Sequence, residues 1–153
     1  MKRGAWVSFL LSLASYAAST GTPAPRWAVA VLPTGHEFAL EVAADDVSRG
    51  RGYMGREKVG PRDGMLFIFD QDDRHSFWMK DCKVALDMVW LDVTGRVVWV
   101  AARQSPCPPS GECPSIVPPS PSRYVLEFAA GTAAAESLKP GDSVVLLSDP
   151  QIR

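Results

Sequence analysis

The stretch HSFWMKDCKVALDMVW, residues 75–90, decides the fold class of this 153-residue chain. From Val84 to Leu91 both alternating sets of side chains are apolar, which predicts a strand that is covered on both faces. One carboxylate, Asp87, interrupts this apolar run. A buried carboxylate is costly unless it is paired or hydrogen-bonded, so Asp87 must have a structural or a functional role.

Strand-like segments flank this stretch on both sides. Before it stand WAVAVLP and EFALEVAA, a predicted hairpin, and the apolar strand MLFIFD; after it stand RVVWVA, RYVLEFAAG and SVVLLS. Asp45 or Asp46 can cap a first short helix, and TAAAESL predicts a second. A two-residue loop within VTGR would place Trp90 opposite Trp99 as a core pair. Some seven or eight short strands with one or two brief helices predict a mainly β fold, a single small sandwich or barrel.

The first residues have the order of a secretory signal peptide. A basic pair precedes a mostly apolar run that ends in small residues at Ala18. The run is shorter than the about 20 apolar residues of a membrane span, although an uncleaved membrane anchor is the alternative. We therefore predict a signal peptide over 1–19, a spacer over 20–26 and one β-rich domain over 27–150. The protein is expected to be exported, to the periplasm or the extracellular space, and to meet a membrane only through an uncleaved leader.

Composition and charge limit the classes of partner. Hydrophobic residues make up 46% of the chain, charged residues make up 22%, and the net charge is −1. These values are ordinary for a globular domain with one core. They argue against a nucleic-acid partner, because phosphate binding normally needs a basic face. Glu57 and Asp63 are interleaved with the basic cluster, which is interpreted as a solvated helix face and consists of Arg49, Arg51, Arg56, Lys58 and Arg62.

Two of the three cysteines predict a disulfide. Cys107 and Cys113 frame the loop CPPSGEC in a proline-rich segment, and an exported protein meets an oxidising compartment. A zinc site is the alternative, but the second Cys/His pair that tetrahedral coordination needs is missing. His36 and His75 stand alone at no ligand spacing, so we predict neither a metal nor a cofactor.

The third cysteine, Cys82, has two interpretations. As a nucleophile it would need a base and a lowered pKa, and His75 is the only nearby candidate base in the sequence. As a small apolar residue it would fill the core, which is the commoner role of a lone cysteine. We prefer the packing role.

Five blocks of the sequence together resemble a known family. GYMGRE, GMLFIFD, FWMKDCKVALDMVWLD, YVLEFAAG and PGDSV, roughly from Phe38 to Leu147, stand in the order found in the domain of unknown function 192 family. That family usually has Asn and Thr where this chain has Asp81 and Cys82, and Leu where it has Tyr53. Similar exported members carry a proline-and-cysteine loop before the Tyr-Val-Leu-Glu strand. The resemblance implies a β-rich domain, but it implies no activity, because none is established for the family.

Asp87 permits two roles that involve different neighbours. In the structural role it accepts hydrogen bonds from backbone N–H groups or an arginine at a strand crossing. In the functional role it joins Lys80, Asp81 and Glu127 in a polar pocket beside Trp78, and these five residues are our ligand-binding candidates. We prefer the structural role for Asp87.

No catalytic motif is visible in the sequence. It contains no Ser-His-Asp set, no phosphate loop and no metal-ligand cluster, so we predict no catalytic residue and lean against an enzyme. We expect an exported, non-catalytic domain that binds a small ligand, a glycan or an envelope partner. One alternative is a small hydrolase or transferase that uses Asp81, Asp87 or Glu127. The other is a purely structural accessory module.

Overall fold

The computed structural model describes residues 26–148, which form a single seven-stranded sheet. The elements in chain order are β1 (Arg26–Val31), β2 (Glu37–Ala43), α1 (Asp46–Arg51), β3 (Asp63–Asp73), β4 (Leu86–Leu91), β5 (Val97–Gln104), β6 (Ser122–Ala129), α2 (Thr132–Ala135) and β7 (Val145–Ser148). The strand order is β5-β4-β6-β3-β2-β1-β7. β2 and β3 are parallel, and all other neighbouring strands are antiparallel. The predicted signal peptide lies outside the described residues.

The sheet curls toward a barrel but does not close. The residues that lead into β5 meet those that lead into β7, the strands at the two ends of the strand order. Val97 N donates to Asp142 O at 2.8 Å, and Val144 N donates to Gly95 O at 2.9 Å. These hydrogen bonds bring the two edges of the sheet together at one corner. The predicted mainly β fold with two short helices is confirmed.

β4 is buried along its whole length, as its apolar sequence predicts. Leu86, Met88 and Trp90 pack into one core cluster, whereas Val89 and Leu91 pack into a second cluster on the other face. Trp90 pairs with Trp99 as predicted, with ring centroids 4.7 Å apart. The turn is longer than predicted, because Asp92 N bonds to Arg96 O. A bulge next to Trp90 absorbs the extra residue and preserves the pairing.

The disulfide Cys107–Cys113 is present, with 5.3 Å between the two Cα atoms. The proline-rich segment that contains it is attached to the residues before β4. Phe77 N donates to Ile116 O at 3.0 Å, and Ile116 N donates to Phe77 O at 2.7 Å. The proline-rich segment therefore holds the segment around Phe77 in place through Ile116, which follows the disulfide ring. No helix within residues 26–148 is long and apolar enough to cross a membrane.

Candidate functional site

Asp87 is an anchor for backbone groups from two other parts of the chain. The residue is fully buried. Its Oδ1 accepts a hydrogen bond from Arg103 N at 2.7 Å, and its Oδ2 accepts from Gly131 N at 3.0 Å and Ala133 N at 2.7 Å. These bonds attach β4 to the end of β5 and to the start of α2. Arg103 has φ of 53°, a conformation that costs energy for a non-glycine residue, and the bond to Asp87 offsets part of that cost. The contacts of Asp87 are those of the structural role.

Asp87 and Glu127 lie on opposite faces of the sheet. The register of β4 and β6 pairs Asp87 with Phe128, and Met88 with Glu127. Paired side chains share a face, and successive side chains along a strand alternate between faces. Glu127 therefore shares a face with Met88, and Asp87 shares the other face with Phe128. The sheet separates two acids that the sequence analysis grouped in one pocket.

Glu127 stands in the middle of an apolar row across the sheet. Met65 of β3 is its partner on one side and Met88 of β4 is its partner on the other, and both are buried. Glu127 is only 4% exposed, and its Oε2 has no hydrogen-bond partner among residues 26–148. Burial raises the pKa of Glu127 to about 8, and the nearby Arg56 lowers it only in part. The carboxyl group is therefore mainly protonated at neutral pH, and it lacks the partner that buried polar groups normally have.

Glu127 lines a cavity of about 240 Å³ whose walls include five aromatic residues. Helix α1 and the turn after it form one wall, and residues 76–78 form another. The aromatic lining residues are Tyr53, Phe67, Phe69, Phe77 and Trp78, and the remaining lining residues are Arg49, Gly50, Arg51, Gly52, Met54, Ser76 and Cys82. The volume lies below the about 300–1,000 Å³ of pockets for drug-sized molecules, so the cavity suits a smaller ligand.

The turn after α1 brings the backbone close to Glu127. Asp45 caps α1 by accepting hydrogen bonds from two backbone N–H groups of the first turn, as predicted. Gly52 ends the helix with φ of 46°. A Cβ atom at Gly52 would lie 3.6 Å from Glu127 Oε2 and 3.3 Å from the Phe67 ring. Glycine at this position therefore allows the backbone to approach both Phe67 and Glu127 closely at the cavity.

Protein cations lie over three of the five aromatic rings of the cavity. Measured from Arg Cζ or Lys Nζ to the ring centroid, the distances are 5.3 Å for Arg49 over Phe69, 5.0 Å for Arg56 over Tyr53 and 5.3 Å for Lys80 over Trp78. Arg49 also donates to the carbonyl oxygens of Ala44 and Ile68 and to Asp46. Arg49 is thus held by specific contacts, and the solvated face that the charge pattern predicted is wrong for this residue.

The five predicted ligand-binding residues fall into three places. Glu127 and Trp78 line the cavity, and Trp78 is 48% exposed. Lys80 and Asp81 are exposed and do not line it, although Lys80 contacts the Trp78 ring. Asp87 is on the opposite face. Of the predicted group, the structure brings together Glu127 and Trp78 at the cavity.

Several cavity residues were missed by the sequence analysis, and for Cys82 a packing role was preferred to a nucleophilic one. Cys82 is half-buried and packs against the apolar cluster, and it also lines the cavity. Burial raises the pKa of the Cys82 thiol to about 11, with smaller contributions from Glu127 and Asp81. The thiol is therefore not activated as a nucleophile. In the part of the chain that the structure describes, no group of three or more His, Cys, Asp or Glu residues is placed to hold a metal ion.

The comparisons with known proteins agree with this fold. Two similar solved structures both have a TM-score of 0.70. One, from Sinorhizobium meliloti 1021, is described as a proposed transcription regulator. It is 29% identical in sequence, and the alignment covers 80% of this chain and 93% of the Sinorhizobium chain. The other, from Novosphingobium aromaticivorans DSM 12444, is described as a protein of unknown function. It is 27% identical in sequence, and the alignment covers 90% of this chain and 99% of the Novosphingobium chain. A search of curated proteins finds no match.

The family comparison covers most of the described sheet. The model of DUF192, whose description reads "Uncharacterized ACR", matches residues 29–146. This range includes β2 to β6, both helices and all the residues that line the cavity. The chain belongs to the DUF192 family.

Proposed function

We propose that this protein is an exported, non-catalytic domain that binds a small ligand in the cavity lined by Glu127. The observation that carries the proposal is the buried Glu127 Oε2, which has no partner among the described residues. Burying such a group costs folding free energy unless a hydrogen bond or an opposite charge compensates it. A ligand that enters the cavity would supply that compensation.

The positions of the other acids favour binding over catalysis. Asp87 is occupied by three backbone N–H groups on the other face of the sheet, and Asp81 is exposed outside the cavity. The Cys82 thiol has a pKa that burial raises to about 11, and the imidazole of His75 bonds to Gln71 O at 3.0 Å. These contacts support a site that holds a ligand without transforming it.

The cavity also favours ligand binding over the structural accessory module. A module of that kind predicts no concave site near Trp78. Trp78 instead lines the cavity of about 240 Å³, where it is half-exposed at the surface. An exposed ring of this kind suits a ligand that also reaches the protein surface, such as a glycan, so glycans belong in the test.

Two features support export. The disulfide Cys107–Cys113 would persist in an oxidising compartment. Residues 1–19 have the charged, apolar and small-residue order of a signal peptide. Fractionation of cells that express the full chain tests this part of the proposal, and retention of the uncut chain in the cytoplasm would contradict it.

A thermal-shift screen of the protein without its leader tests the binding function. The library contains small amines, alcohols, carboxylic acids and cell-wall glycans. We expect at least one compound to raise the melting temperature of the wild type but not that of Glu127→Gln. Glu57→Gln is the matched control, because Glu57 is an exposed acid paired with Lys83 outside the cavity.

Two results would overturn the proposal. In the first, no compound stabilises the wild type, or every stabilising compound acts equally on Glu127→Gln. In the second, a compound that binds is converted to a product, and its conversion stops in Glu127→Gln while the variant stays folded.

A further inference from the structure

We propose that the ligand of the Glu127 cavity is a small organic cation, an amine that carries an apolar body. This inference rests on the proposed function and adds the charge and the chemical class of the ligand. It follows from three features of the cavity: an acid whose Oε2 has no partner among the described residues, two nearby arginines that are paired with other acids, and aromatic rings next to the acid.

Glu127 is a buried acid that the described residues do not neutralise. Acids in protein interiors are almost always paired with a cation or held by several hydrogen-bond donors. Asp87, on the other face of the same sheet, follows this rule with three backbone donors. Glu127 Oε2 has none among residues 26–148. The ionised form of this carboxyl therefore lacks a group that carries N–H donors or a positive charge.

Two arginines beside the cavity are paired with other acids. Arg56 Nη2 lies 2.6 Å from Glu41 Oε2, and Arg49 Nη2 lies 2.6 Å from Asp46 Oδ1. Arg51 is exposed at the end of α1, where solvent screens its charge. The titratable and charged residues that line the cavity with Glu127 are Arg49, Arg51, Tyr53 and Cys82, and Arg56 acts on Glu127 from outside the lining. Glu41, Lys80 and Asp81 lie next to Arg56, Trp78 and Cys82 respectively. Burial raises the pKa of Tyr53 and of Cys82, so both are neutral at neutral pH.

The aromatic walls next to Glu127 can receive a cation. Phe67 and Phe77 pack edge to face with centroids 4.9 Å apart, and both line the cavity. In contrast to the other three rings, neither has a protein cation over it in the described part of the chain. The position of Gly52, next to both Phe67 and Glu127 Oε2, places ring and carboxyl together. One ammonium group can therefore pair with the carboxylate and contact an aromatic ring.

Binding of a cation has a proton signature. Burial raises the pKa of Glu127 to about 8 in the free protein, so the carboxyl must release its proton to pair with an ammonium group. An alkyl amine stays protonated in this range, as lysine does with a pKa of about 10.4. The affinity should therefore rise about tenfold for each pH unit between pH 6 and 7.5 and level off above pH 8.

Three probes of nearly equal shape test the charge of the ligand. They are 2-phenylethylamine (a cation), 2-phenylethanol (neutral) and phenylacetate (an anion), titrated by calorimetry into the protein without its leader at pH 6, 7 and 8. At pH 7 we expect the amine to bind at least about tenfold more tightly than the alcohol, and phenylacetate to bind most weakly. In Glu127→Gln the preference for the amine and its pH dependence should disappear, whereas Glu57→Gln should behave as the wild type does.

The outcomes separate this inference from the proposed function. If the alcohol binds as tightly as the amine and both lose affinity in Glu127→Gln, the cavity is a ligand site but the ligand is not a cation. If phenylacetate binds most tightly, the inference is overturned in the same way. If none of the three probes binds, the cation inference is overturned, and the proposed function is then decided by the wider library.

Discussion

Glu127 should lower the stability of the folded protein as the pH rises. The pKa of this carboxyl is 4.5 in an exposed setting, and burial raises it to about 8 in the fold. The unfolded chain therefore ionises first, and between these two values it binds fewer protons than the folded chain. The free energy of unfolding must then fall with rising pH across this window and stay level below and above it.

The size of this effect follows from the same two values. Each pH unit between the two pKa values lowers the free energy of unfolding by about 1.4 kcal/mol. The cost is therefore roughly 3 kcal/mol at pH 7 and approaches roughly 5 kcal/mol above pH 8. Because Glu127 is only 4% exposed, solvent screening reduces this figure little. The wild type should lose roughly 3–4 kcal/mol of unfolding free energy between pH 5 and 8 through this one group.

Glu127→Met removes the titrating group and preserves the apolar row. Its neighbours across the sheet are Met65 and Met88, so a third methionine matches both in character and length. We expect this variant to be more stable than the wild type at pH 8, by about 2–4 kcal/mol, and to lose this part of the pH dependence. A more stable variant that no longer binds ligand is the expected signature of a group retained for function.

Urea unfolding at pH 5, 6, 7 and 8 measures the effect in the wild type, in Glu127→Met and in the control Glu57→Gln. The control should follow the slope of the wild type, since Glu57 is exposed. Equal slopes in the wild type and in Glu127→Met would refute the reasoning. A methionine variant that is less stable than the wild type at pH 8 would refute it as well.

Three further predictions concern the stability of the fold. Asp87→Ala should lower the unfolding free energy by about 1–3 kcal/mol, whereas Asp87→Asn should cost less because its amide oxygen can still accept backbone donors; denaturant titration of both distinguishes them. Gly64→Ala should lower the unfolding free energy by about 1–3 kcal/mol, because its Cβ would lie 2.7 Å from the backbone oxygen of Glu127. Gly50→Ala should raise it by about 0.5–1 kcal/mol in the same assay, because Gly50 lies in α1 with open space around its Cβ position. Reduction of Cys107–Cys113 should cost only about 2 kcal/mol by calorimetry but weaken ligand binding, since the proline-rich segment that contains the disulfide bonds to the cavity wall at Phe77; an unchanged affinity would contradict this.

The features that could be predicted from the sequence depend on local patterns. The apolar run in β4 predicted a strand buried on both faces, and the spacing around the turn predicted the pairing of Trp90 with Trp99. The cap of α1 by Asp45 is likewise a short-range contact. Each of these rests on residues within about ten positions of one another, where periodicity and turn chemistry are decisive.

The site depends on contacts that the sequence does not encode locally. The donors to Asp87 come from residues 16 to 46 positions away. Whether Asp87 and Glu127 share a pocket depends on the register of β4 and β6, and a shift of one residue would put both acids on the same face. Arg49 appeared solvated from its charged neighbours, yet its contacts with Ile68 and Phe69 come from β3.

The most direct test of ligand binding at Glu127 is the rate at which Cys82 is alkylated. Cys82 is the free thiol of the chain and lines the same cavity, so a ligand that occupies the cavity should shield it. Mass spectrometry should show that the tightest compound of the library slows alkylation of Cys82 in the wild type but not in Glu127→Gln. The same rate with and without that compound in the wild type would contradict the account, because the ligand would then bind elsewhere.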